Sequence, residues 1–270
     1  MKILNGRELA EFIKERQARQ VRGLRQAEGI EPRLAIVRTA DSPVIDTYVR
    51  VKQRYGLDTL VDVEQHSVSD SVLFSTIDEL NERDDVHGII VQLPLSDESQ
   101  TEEAVNRVKP SKDVDGLGKG AELTPATPMA IDWLLAGYNV TLKGRKIAIV
   151  GNGRLVGAPL AKLWRDAGLS VEVFDENTKN MLRKLPKYDV IITAVGRPNL
   201  IPAESIGKGA TVVDAATSSE HGEIVGDLAL DVRARRDLAI TPEKGGVGPL
   251  TVAALFDNVI RAARSTAGKK

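Results

Sequence analysis

Three features of the 270-residue chain predict an α/β fold built from two parallel-sheet domains. Short apolar runs alternate with amphipathic helical stretches along most of its length. The alternation happens twice, on either side of a proline- and glycine-rich segment between Pro110 and Pro128. The second run opens on a strand, a glycine turn and a helix, the arrangement that seats a dinucleotide.

The elements follow in order. Asn5 to about Glu28 reads as a helix: Leu9, Phe12, Ile13, Val21 and Leu24 recur at helical spacing, Asn5 is an N-cap and Gly29 closes the segment. Arg33–Thr39 is an apolar strand. A helix from about Val44 to Tyr55 is stopped by Gly56, followed by a strand near Thr59–Val63, a helix near Val72–Arg83 and the strand Gly88–Leu93. Pro110 to Pro128, with Gly116, Gly118, Gly120 and Pro125 inside it, reads as loop leading to a domain boundary. A helix over about Pro128–Ala136 leads to the second run. That run is strand Lys146–Val150, helix Leu155–Ala167, strand Ser170–Phe174, a helix near Thr178–Lys184, and strands Val190–Ala194 and Thr211–Asp214. Leu250 to Ala267 is a final helix.

Composition narrows the function. Lys and Arg number 37 against 38 Asp and Glu, so overall charge gives no reason to expect nucleic acid or an anionic membrane as partner. The absence of cysteine excludes disulfides, thiolate nucleophiles and Cys-bound metal. His66, His87 and His221 are too scattered for a ligand-spaced pair, so no metal site is expected. The first residues carry no signal-peptide pattern, and no apolar run approaches the roughly 20 residues of a membrane helix. A cytoplasmic protein is expected.

In Lys146-Ile-Ala-Ile-Val-Gly-Asn-Gly-Arg-Leu-Val-Gly157, Gly151 permits the tight turn, Gly153 lets backbone N–H groups approach a pyrophosphate, and Gly157 allows close helix–strand packing. The helix N-terminus adds its dipole. Asn152, Arg154 and Val156 lie in the same turn. The spacing is G-x-G-x-x-x-G, one residue longer than the commoner fingerprint. Asp175 ends the next strand, where a carboxylate accepts from both ribose hydroxyls and repels a 2′-phosphate; a solvated strand-end acid is the alternative. Arg154, Lys179 and Arg183 are candidate phosphate contacts, so the choice between NAD and NADP stays open. Ala194, Val195 and Gly196 follow the third strand, and Thr217 follows the fourth, all at the carboxyl edge of the predicted sheet.

In the first run, Tyr48 and Lys52 are i, i+4 on one helix and share a face. Gln92 is a polar residue in an apolar strand, and its burial would require partners. Asp113 and Asp115 sit in Lys112-Asp-Val-Asp-Gly116, where a turn-forming pair is the simpler reading.

Taken together, Tyr48-Val-Arg-Val-Lys52, Gly88-Ile-Ile-Val-Gln-Leu-Pro-Leu95, Lys112-Asp-Val-Asp-Gly116, Pro125-Ala-Thr-Pro128 and Gly245-Gly-Val-Gly-Pro-Leu-Thr251 resemble the bifunctional methylenetetrahydrofolate dehydrogenase/methenyltetrahydrofolate cyclohydrolase family. The resemblance covers nearly the whole chain. It implies a folate-binding catalytic domain over 1–125 with 248–270, whose last helix returns to it, and a Rossmann-like NAD(P)-binding domain over 126–247. It further implies a folate in a cleft, a homodimer, and no nucleic-acid or membrane partner. Lys52 would be the catalytic lysine, Tyr48 would stack on the folate and orient Lys52, and Gln92 would hold Lys52. Asp115 would accept from the pterin N–H groups, and Gly248 and Pro249 would line the folate.

The chain departs from the family pattern in places. Ile45 stands where a serine is common, Asn152 and Gly153 replace an Arg-Ser pair associated with NADP, and Asp175-Glu176 replace a His-Ser pair. Ala215-Ala216-Thr217-Ser218 and Pro242-Glu243-Lys244 also differ, and the Gly116–Pro125 loop is shorter than usual. On charge grounds these changes favour NAD over NADP. A member with one activity and a non-catalytic folate- or dinucleotide-binding paralogue are the competing expectations.

Overall fold

The structure, a computed structural model, describes residues 1–216, 218–220 and 223–267. In chain order the strands are β1 (Lys2–Ile3), β2 (Arg33–Arg38), β3 (Asp62–Ser67), β4 (Gly88–Val91), β5 (Ile147–Val150), β6 (Val171–Phe174), β7 (Val190–Thr193), β8 (Thr211–Asp214), β9 (Ser218–Glu220), β10 (Glu223–Val225) and β11 (Ala239–Ile240). The helices are α1 (Gly6–Gly23), α2 (Pro43–Thr59), α3 (Leu73–Glu82), α4 (Thr101–Arg107), α5 (Ala126–Gly137), α6 (Gly157–Asp166), α7 (Met181–Lys184) and α8 (Val247–Arg264). The chain divides into two compact units, Glu11–Ala126 with Val252–Lys270 and Met1–Ala10 with Thr127–Thr251.

The first of these holds a parallel sheet in the order β3-β2-β4. Leu34, Ala35, Ile36 and Val37 are all fully buried, as expected of a central strand covered on both faces. On one face, Ala35 and Val37 of β2 pack with Leu73, Ile77 and Leu80, which recur at helical spacing along α3. α2 starts at an N-cap, with Ser42 Oγ accepting from Ile45 N at 3.1 Å and Pro43 in the first turn. The expected stop at Gly56 is not seen: α2 runs through it and ends at Leu60, whose φ is +64°. Gly56 serves close approach, since a Cβ there would lie 2.5 Å from Val63 Cγ2. β3 accordingly begins at Asp62, later than expected. α4 was not anticipated, because its two buried apolar residues, Ala104 and Val105, are too few to set a period.

The later part of α8 belongs to this unit, as the expected return of the last helix requires. Fully buried Asn258 donates through Nδ2 to Val114 O at 2.9 Å and Thr124 O at 2.8 Å. Gln17 Nε2 donates to Ala253 O at 2.8 Å, and Tyr55 donates to Gln17 Oε1 while its ring meets Phe256 at 4.8 Å.

The second unit holds a six-stranded parallel sheet in the order β1-β11-β8-β7-β5-β6. Ala148, Val150, Phe174, Ile191, Val212 and Ile240 form part of its buried core. β1 and β11, of two residues each, and the antiparallel pair β9–β10 are too short to leave a hydrophobic pattern in the sequence.

Asn258→Ala leaves the Val114 and Thr124 carbonyls without their donor. We expect a loss of about 1–3 kcal/mol in unfolding free energy, read from urea denaturation.

Candidate functional site

The polar cluster of the three-stranded unit centres on Lys52. Tyr48 and Lys52 lie one turn apart on α2, both half-buried. Lys52 Nζ donates to Gln92 Oε1 at 2.6 Å. β4 ends at Val91, one residue short of Gln92, yet Gln92 N still donates to Val37 O at 2.8 Å and so keeps the ladder register. Its Nε2 donates to Leu93 O at 3.0 Å. With the NH₂ end engaged there, the carbonyl end of the amide is the one presented to the lysine. Leu93–Pro94 is a cis peptide bond.

Asp115 is presented by a segment whose other residues are structural. Lys112 Nζ donates to the carbonyls of Leu80, Asn81 and Arg83 at 3.2, 2.9 and 2.6 Å, a cation at the C-terminal end of α3. Asp113 is buried and closes the turn, accepting from Gly116 N at 2.9 Å and Gly118 N at 2.7 Å. Ile89 N donates to Lys112 O at 2.8 Å, and Val114 is fully buried. The turn-forming reading therefore applies to Asp113, whereas Asp115 remains as a half-buried carboxylate.

Burial sets the electrostatics of this pair. Desolvation pulls the Lys52 ammonium below its ordinary pKa, and the Asp115 charge opposes that shift. Desolvation pushes Asp115 up to about 6, with Lys52 drawing it down and Asp113 pushing it further up. The cluster thus holds an amine that gives up its proton more readily than an exposed lysine, beside an acid that is ionised above about pH 6.

The second cluster lies at the carboxyl edge of the six-stranded sheet. Gly151 has φ +103°, and a Cβ on it would sit 2.6 Å from Ala194 O. A Cβ on Gly157 would sit 1.9 Å from Gly151 O, so the turn and α6 approach more closely than any side chain permits. Asn152, Gly153 and Arg154 are exposed and Val156 is half-buried; no side chain caps the N-terminus of α6. The glycine turn and the uncapped start of α6 suit a pyrophosphate, and the residues present fit a dinucleotide. Asp175 directly follows β6 and is exposed. Its Oδ1 accepts from Asn177 N at 3.1 Å and Thr178 Oγ1 at 2.9 Å, which fixes the carboxylate in its own turn.

Ala194, Val195 and Gly196 form a loop organised by a residue that the sequence reading missed. Fully buried Asp227 accepts from Val195 N at 2.8 Å, from Arg197 N at 2.7 Å and from Thr193 Oγ1. Asp214 accepts from the N–H groups of Ala216, Asp227 and Leu228, at 3.2 Å each, and burial raises its pKa. The available signal was an acid inside the apolar run Val225-Gly-Asp-Leu228. Thr217 lies outside the described residues. Gly248 is exposed and Pro249 half-buried in the first turn of α8; both belong to the six-stranded unit, not to that of Lys52. Among the described residues no group of His, Asp or Glu is arranged to hold a metal, and no helix is long and apolar enough to cross a membrane.

Residues 4–115 match the family model of the tetrahydrofolate dehydrogenase/cyclohydrolase catalytic domain, and residues 125–267 match that of the tetrahydrofolate dehydrogenase/cyclohydrolase NAD(P)-binding domain. The chain is 34% identical to the bifunctional protein FolD of Nautilia profundicola over 99% of each chain. Its structure is similar to the FolD methylenetetrahydrofolate dehydrogenase/cyclohydrolase of Campylobacter jejuni, with TM-score 0.92 and 33% identity, covering 98% of this chain and 99% of that one. It is also similar to the Trypanosoma brucei methylenetetrahydrofolate dehydrogenase-cyclohydrolase solved with NADP and an inhibitor, with TM-score 0.90 and 28% identity over 98% and 97% of the two chains.

Asp227→Ala removes the acceptor of two backbone donors and a hydroxyl. We expect roughly 2–4 kcal/mol less stability in urea and weaker dinucleotide binding in a fluorescence titration.

Proposed function

The chain belongs to the tetrahydrofolate dehydrogenase/cyclohydrolase family, and on that premise we propose which of its residues carry the two reactions. It is a bifunctional enzyme that oxidises 5,10-methylenetetrahydrofolate to the methenyl cation and hydrolyses the cation to 10-formyltetrahydrofolate. The observation that carries the assignment is the 2.6 Å bond between Lys52 and Gln92, in a cluster where burial favours the neutral amine.

Asp115 accepts from the N–H donors of the pterin edge, and Tyr48 packs on the folate and keeps Lys52 in place. Gly248 and Pro249 keep the folate contacts that the family resemblance implies. Bound NAD(P) supplies the acceptor for the hydride that leaves the one-carbon bridge. For that step the chain's contribution is positioning, by Tyr48, Lys52 and Asp115 on the folate and by Gly151, Gly153, Val156, Gly157, Ala194, Val195 and Gly196 on the dinucleotide. In the hydrolysis, water adds to the methenyl carbon and the neutral Lys52 amine takes its proton. The lysine ammonium then returns a proton to the departing ring nitrogen as the carbon–nitrogen bond breaks, and one proton is released overall. Gln92 Oε1 accepts one Nζ–H, which aims the amine's lone pair.

We propose NAD over NADP as the preferred cofactor. Asp175 is held in its turn with one oxygen still open to ribose hydroxyls, and Asn152 supplies no cation for a 2′-phosphate. A homodimer in the cytoplasm completes the proposal.

The test is an assay of both reactions with either nucleotide. Lys52→Met is expected to lower cyclohydrolase kcat by about a hundred- to ten-thousand-fold in a folded protein. Unaltered hydrolysis by that variant would overturn the assignment. A preference for NADP of roughly tenfold or more in kcat/KM would overturn the cofactor proposal.

The pH dependence follows from the same cluster. The ammonium form of Lys52 dominates below its pKa, so cyclohydrolase kcat falls as pH falls. KM for folate rises as pH drops through about 6, where Asp115 takes up a proton and ceases to be a pure acceptor. Asp115→Asn removes the charge that holds the Lys52 pKa up, so the kcat limb moves to lower pH. Initial rates from pH 5 to 9 read both effects.

A further inference from the structure

The last residues of β2 and Thr39 just after it reach three separate segments. Val37 O accepts from Gln92 N at 2.8 Å, and Thr39 Oγ1 accepts from Ser96 N at 2.9 Å. Between them lies Arg38, only 6% exposed, a rare depth for an arginine. Its Nη1 donates to Asp46 Oδ1 at 2.6 Å and its Nη2 to Asp41 Oδ1, while Nε is buried without a hydrogen-bond partner. Asp41 lies in the link from β2 to α2. Asp46 lies in the first turn of α2, on the helix that carries Tyr48 and Lys52.

A strand sends successive side chains to opposite faces. Val37 packs with α3, so Arg38 points to the other face of β2, where Asp46 of α2 meets it. An arginine buried with one N–H unsatisfied is an expensive way to fill a strand position; an apolar residue of similar volume commonly costs less. What the guanidinium provides is direction. The Lys52–Gln92 bond joins α2 to the end of β4. Val37 fixes the Gln92 side through the backbone, and Arg38 fixes the α2 side through Asp46. Two adjacent residues of one strand therefore set both ends of the bond. Three residues before Tyr48, where the family resemblance implies a serine, this chain has buried Ile45, so no hydroxyl is available there to anchor the helix.

We propose that Arg38, paired with Asp46, is a positioning residue for the folate chemistry: it holds the first turn of α2 so that Lys52 and Tyr48 meet Gln92 and the substrate. The proposal rests on the role assigned above to Lys52.

The experiment compares Arg38→Met, Arg38→Lys, Asp46→Asn and the double variant Arg38→Met/Asp46→Asn with the unaltered full-length enzyme. Both activities are measured with folate and dinucleotide varied separately. Arg38→Met is expected to lower kcat by about tenfold or more, because displacement of a catalytic group by about 1 Å costs up to about a hundredfold. KM for the dinucleotide stays unchanged. Arg38→Lys recovers part of the loss, Asp46→Asn loses less than Arg38→Met, and the double variant is no worse than Arg38→Met alone. Lower melting temperatures with kcat kept within about twofold in all variants would overturn the proposal and leave Arg38 a stability residue. If Arg38→Met does not fold, Asp46→Asn, which keeps size and acceptor, decides by the same split between kcat and KM. An unaltered enzyme with no turnover would instead overturn the reading of Lys52, and this inference with it.

Discussion

The hydrogen bond from Lys52 to Gln92 is the interaction to which most of the catalytic unit is subordinate. A lysine near its ordinary pKa is a cation and a poor base. Burial lowers that pKa, but a buried amine without an acceptor would be destabilising. Gln92 resolves the conflict because its amide carbonyl accepts a hydrogen bond without adding charge. Asp115 limits how far the shift goes, since its carboxylate stabilises the ammonium. The cluster is a balance of two opposed effects, desolvation and one nearby charge.

The two clusters are built by different means. Around Lys52, side chains do the work and the backbone supplies their footing: Lys112 on the carbonyls that end α3, Asp113 on the turn, Asn258 on the loop carbonyls. At the dinucleotide edge the reverse holds. There the absence of side chains at Gly151 and Gly157 brings backbone donors close, and buried acids tie the loops from beneath. The first design suits proton transfer, where the identity of an atom matters. The second suits recognition of a pyrophosphate by N–H groups that every residue carries.

Much of the architecture was legible in the sequence, for reasons that also explain the misses. Parallel strands buried on both faces read as continuous apolar runs, so β2, β4, β5, β7 and β8 stand out, and α3 shows helical spacing in Leu73, Ile77 and Leu80. β1, β11 and α4 are too short to show a period. Gly56 reads locally as a helix stop, but its reason is Val63, a tertiary neighbour that no local rule contains. In the clusters, the shared helix face of Tyr48 and Lys52 follows from spacing. The meeting of Lys52 with Gln92 does not; it entered through the family resemblance, because contacts between residues 40 apart leave no periodic trace. Asp227, Asp214 and Arg38 were missed because they act through burial, and burial of a charged side chain is invisible until the fold surrounds it.

Asp227 also bears on how the nucleotide edge comes into being. It joins to Thr193 across 34 positions of chain, with β8 and the β9–β10 hairpin in between. Loops tied by distant partners form only once the intervening chain has closed, and such closure slows folding. β5 with β6 and β7 with β8 pair over shorter stretches of chain, but the loop after β7 takes its shape only when the segment around Asp227 arrives. The dinucleotide edge is therefore finished late in the order of the chain, after β5 to β8 have been made. During synthesis, a chain still lacking that segment would have a sheet with no finished edge, and so no means of holding cofactor before its own architecture is complete.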